Sequence, residues 1–211
     1  MKKKSLITAA ILIIAGVIGL LGCSSGKSGS AAFQVAFVSL SINEKAVSDY
    51  GTYLTGQIPD LTINGKAPLF TPMITGEARN DFDSGITVDP MMAMGSMMRM
   101  AAVGAAGDLD VIIADMENAA RQARGGMFLP LTSILTSSEL SALENRSLSF
   151  DILDTSGYEP RPTGEKTPAC GVLITGNERI RNIFGNQEIG VFISANTKNL
   201  ELAKMVVRSL L

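Results

Sequence analysis

Histidine and tryptophan are absent from the 211 residues, aromatic side chains make up only 5% of them, and cysteine occurs twice, at Cys23 and Cys170. Without histidine the chain lacks the commonest base for a serine or cysteine nucleophile and the commonest zinc ligand. We therefore expect no catalytic residues, no metal centre and no cofactor. Basic residues do not dominate either: 18 stand against 20 acidic ones, a net charge of −2, which argues against a nucleic-acid partner. Long apolar runs are equally scarce. The run from Leu6 to Leu21 is shorter than the ~20 residues that a membrane-spanning helix needs.

That run follows Lys2, Lys3 and Lys4 and ends at Leu20-Leu21-Gly22-Cys23. A basic start and a short apolar middle are the pattern of a secretory signal. The ending resembles a bacterial lipobox, and the resemblance implies that the Cys23 thiol takes a diacylglyceryl group and becomes the mature N-terminus. The chain would then be tethered by lipid on the extracytoplasmic face of the cell membrane. Residues 1–22 are thus expected to be the signal, and 23–32 the lipidated cysteine and a Ser/Gly-rich flexible tether. Residues 33–211, about 180 in number, are enough for a single domain with a real core. Loss of the signal removes three basic residues and no acidic one, so the net charge moves to −5. Cys170 is left without a disulfide partner and is expected to be a small buried hydrophobe.

Along the remainder, Phe33 to Leu40 reads as a first strand, with Ser39 and Ser41 at its carboxyl end. Ala46, Val47, Tyr50, Tyr53 and Leu54 recur at helical spacing. Leu69 to Thr75 is a strand suited to an edge by Pro68 and Pro72, and residues 76–89 read as a loop. Asp81-Phe82-Asp83-Ser84-Gly85 is not an EF-hand, since its glycine comes too early and no glutamate stands at the twelfth position. Residues 90–106 form a helix capped by Asp89 and started by Pro90. It carries Met91, Met92, Met94, Met97, Met98 and Met100. Thioethers are soft ligands that suit Cu(I), but a three-residue period drifts about 60° per step around a helix. Packing is therefore the expected role of these methionines, with a plastic ligand surface as another.

Leu109 to Ala114 is a run of branched apolar residues, as in a strand buried on both faces. Asp115 then caps an alanine-bearing helix that stops at Gly125-Gly126. Later elements are a short helix after Thr136, an edge strand at 147–153, an exposed excursion at 158–167, strands at 169–175 and 188–195, a helix at 177–184 and a terminal helix from Asn199. Gly164-Glu165-Lys166-Thr167 lacks the earlier glycine and the preceding strand of a phosphate loop.

The stretch Gly107 to Leu131, with its D-hydrophobic-D strand, alanine-rich helix, glycine and Leu-Pro-Leu, resembles a segment of the extracellular solute-binding proteins of ABC importers. Ile189 to Ala203 resembles a late strand and helix of the same family. The resemblance implies a periplasmic-binding-protein-like fold. The room between Pro168 and Ile189 implies an abbreviated second lobe. The expected fold class is a three-layer α/β sandwich on a mostly parallel sheet.

Ligands of open α/β sheets bind beyond the carboxyl ends of the strands. The expected crevice is therefore lined by Ser39, Ser41, Asp115, Glu117, Asn118, Thr175 and Asn177, although caps and turns explain the same residues. The function the resemblance implies is a non-enzymatic, monomeric, lipid-anchored binding protein, with a small-molecule solute or a membrane permease as its partner. Two alternatives stand beside it: a surface lipoprotein that keeps the scaffold but binds a partner protein or the cell wall, and a methionine-based metal handler.

Overall fold

In the computed structural model, which describes residues 32–75 and 90–211, the strand Gln34–Ser39 (β1) is buried at all six positions. Burial at every position of a period-two element requires cover on both faces of the sheet. The chain continues through α1 (Glu44–Gln57), β2 (Leu69–Ile74), α2 (Pro90–Ala105), β3 (Val111–Asp115), α3 (Met116–Arg124), α4 (Ser137–Ala142), β4 (Ser147–Leu148), β5 (Asp151–Asp154), β6 (Arg161–Lys166), β7 (Gly171–Ile174), α5 (Glu178–Phe184), β8 (Ile189–Ile193) and α6 (Leu200–Ser209). The signal, Cys23, the loop at 76–89 and the Asp89 cap lie outside the described residues.

Six strands form one sheet in the order β2-β1-β3-β8-β7-β4, and β5 and β6 form a separate hairpin. The three-layer α/β expectation holds, but the sheet is mixed and not mostly parallel. β1 pairs in parallel with β2 and β3, whereas the β3–β8, β8–β7 and β7–β4 pairings are antiparallel. A strand buried on both faces is an apolar run whichever way it points, so direction is absent from the pattern.

Alternate side chains feed two cores. On one face Phe33, Val35, Phe37, Val111, Ile113 and Val191 pack with Val47, Tyr50 and Leu54 of α1, Ile180 and Ile183 of α5, and Val206 of α6. On the other, Ala36, Val38, Ile112, Ala114 and Phe192 meet Met100 of α2 and Ala119 and Ala123 of α3. Phe192 occupies a slot opposite Gly171 and stacks on Phe128 with ring centroids 4.3 Å apart. The terminal helix buries Ala203, Val206, Val207 and Leu210, while Leu202 and Met205 lie at its flank.

The expected edge strand at 147–153 divides between two sheets. Ser147 and Leu148 pair with β7, and after Phe150, which packs beside Phe192, the chain enters the hairpin. The excursion at 158–167 supplies the second hairpin strand, exposed along its whole length.

Candidate functional site

Register places the carboxyl ends of β1, β2 and β3, the start of β8 and the end of β7 along one edge of the sheet, since Asp115 pairs with Ile189 and Ile189 with Ile174. Ser39, Asp115, Thr175 and Asn177 are gathered there, with Asn118 one turn into α3. Five strand ends thus converge on a single rim, as the crevice reading requires.

Most of this rim is closed by its own bonds. Asp115 leaves β3 with extended backbone, and its carboxylate caps α3 by accepting from the Asn118 N–H at 2.9 Å. The Asn118 amide donates to both carboxylate oxygens, at 3.1 and 3.0 Å, and its carbonyl accepts from the Thr75 hydroxyl. Thr75, Asp115 and Asn118 are all buried. A buried polar group is stable only when paired, and here three elements supply one another's partners. Ser39 is fully buried, and its hydroxyl donates to Gln187 at 3.0 Å across the end of β3.

The remaining expected residues separate from this network. Ser41 is exposed, as is Glu117, which lies 3.6 Å from Arg121 on the solvent side of α3. Thr175 is exposed, and the Asn177 side chain caps α5 by accepting from Arg179 and Ile180. Both line an open hollow of about 350 Å³ with Arg181, Gln187 and Glu188. The sequence reading missed Thr75 and Gln187. Thr75 is the last residue of an apolar run, where a hydroxyl reads as strand end, and Gln187 lies 148 positions from its partner Ser39.

The opposite edge holds a second buried acid that was not singled out. Asp110 is fully buried where β3 begins. It accepts from the Gln34 N–H at 2.9 Å, the Thr197 hydroxyl at 2.6 Å and the Asn199 amide at 3.1 Å. Burial holds its carboxyl above the ordinary carboxylate value, and these hydrogen bonds oppose the rise. Cys170 is buried as expected, and burial pushes its thiol up to about 11, which makes it a poor nucleophile at neutral pH.

The methionine helix departs from the packing expectation. Met100 is buried, but Met91, Met94 and Met98 are exposed, and steps of three and four place these three on one face. Among the described residues no three His, Cys, Asp or Glu side chains gather as a metal ion needs, and no helix is long and apolar enough to cross a membrane.

The class so defined is a six-stranded mixed α/β sandwich whose strand-end rim is largely filled by its own polar side chains. No protein-family model, curated protein or solved structure was found to match the chain.

Proposed function

We propose that the protein is a non-enzymatic, lipid-anchored extracytoplasmic binding protein that presents a solute-binding-like scaffold to a partner protein or the cell wall. The observation that carries this reading is the Thr75–Asn118–Asp115 network together with the Ser39–Gln187 bond. These are the groups a small solute would have to engage, and each is already satisfied. Opening them for a ligand would leave buried donors and acceptors unpaired, at about 1–3 kcal/mol each. A surface that needs no opening, with exposed Ser41, Glu117 and Thr175 around it, suits a macromolecular contact.

A second reading, the solute-binding component of an importer, is favoured by the hollow beside Thr175 and Asn177, whose size falls in the range of small-ligand sites. One pair of measurements separates the two. The full chain is melted against amino acids, sugars and polyamines, and a photo-crosslinking residue is placed at position 117 in intact cells. We expect no melting shift and a crosslinked protein or wall fragment. A solute present at 100 times its dissociation constant stabilises by about 2.7 kcal/mol, so a clear shift without a crosslink establishes the second reading.

A further inference from the structure

A hollow of about 640 Å³ lies far from the strand-end rim, between the C-terminal turn of α3 and the β5–β6 hairpin. Its walls include Ala123, Phe128, Pro130, Ile152, Leu153 and Pro168, with Cys170 beside them, and no acidic side chain is among its lining residues. The size and mostly apolar lining of this open hollow, at a two-element junction, match those of small-ligand sites.

Two arginines stand on the rim. Arg121 is 3.6 Å from Glu117 and donates to the Met97 sulfur at 3.3 Å. Arg124 is exposed, and its Nε donates to the Asp151 carbonyl of the hairpin at 2.9 Å. Among the described residues its two terminal nitrogens form no ion pair. They form a fork suited to a carboxylate, sulfonate or phosphate. On a chain of net negative charge, a cationic rim above apolar walls selects both properties at once.

We propose that this hollow binds an amphiphile with an apolar body and an anionic head, the body lying against Phe128, Ile152 and Leu153 and the head held by Arg124. The Nε bond to the Asp151 carbonyl orients the guanidinium at the rim, while the apolar wall is supplied by side chains that Arg124 does not replace. The proposal does not depend on the lipid anchor or on the partner assigned to the opposite rim.

The test uses the purified full chain and two dyes with the same apolar body, 1-anilinonaphthalene-8-sulfonate and the uncharged N-phenyl-1-naphthylamine. We expect saturable binding of the sulfonate and slower alkylation of the Cys170 peptide, followed by mass spectrometry. Arg124→Gln should weaken the sulfonate about tenfold and leave the uncharged dye unchanged. Ile152→Trp, at a half-buried wall position, fills the hollow and should weaken both dyes, with a cooperative melting transition showing that the variant is folded. Displacement by oleate identifies a free fatty acid as the source of the head, and displacement by a lysophosphatidate a membrane lipid. Dye binding that survives Ile152→Trp, equal loss of both dyes in Arg124→Gln, or displacement by neither lipid would overturn the proposal.

Discussion

Asp110 is the residue on which the lower edge of the sheet depends. Its two oxygens serve three donors from β1 and from the turn that leads into α6. An amide at that position has only one acceptor oxygen, so Asp110→Asn should cost about 1–3 kcal/mol at neutral pH, read by urea unfolding. Linkage gives the cost a pH dependence with a definite sign. Because burial raises this carboxyl above its ordinary 3.8, the folded chain binds the proton more tightly than the unfolded chain. The contribution of Asp110 to stability therefore falls as pH rises from 3.8 through its own higher value. The difference between parent and variant should widen on acidification, and a difference that narrows would show that the carboxylate is favoured by the fold. A second residue-scale prediction concerns Gly171, where a Cβ would collide with the Phe192 ring. Gly171→Ala should cost about 1–3 kcal/mol by overpacking.

Among the elements, α2 shows most clearly where a pattern can be seen but not its role. Its six methionines stand out in the sequence, and composition favours burial for so apolar a helix. The fold instead turns Met91, Met94 and Met98 to solvent and keeps Met100 against β-sheet residues of the second core. Met94→Glu and Met98→Glu should each change stability by no more than about 0.5 kcal/mol, whereas Met100→Glu buries an unpaired carboxylate and should cost several kcal/mol. Thermal melting of the three variants checks the orientation, and equal losses would place the exposed methionines in contact with structure. The α3 helix is the opposite case. Its start, cap and stop were all legible, because Asp115 and Gly126, the latter at φ 69°, mark its ends by local chemistry.

For the whole molecule, the expectation that matters most for its location concerns Cys23. Fatty-acid-analogue labelling of cells should mark the parent and not Cys23→Ala, and equal labelling of both would remove the anchor from the proposal. The sequence by itself determined the α/β class, the run of β3, the cap at Asp115, the short helix after Thr136 and the buried state of Cys170. Each of these follows from residues within a few positions of one another, or from the period of apolar side chains. Only the tertiary structure decided the direction of β7 and β8, the transfer of the chain from β4 to the hairpin and the exposed face of α2. It alone joined Thr75 to Asn118, Ser39 to Gln187 and Asp110 to Thr197, pairs separated by 43, 148 and 87 positions. A polar side chain at a strand end looks the same whether it awaits a ligand or already holds a neighbour. Which of these it does depends on partners that only the folded sheet brings within hydrogen-bond reach.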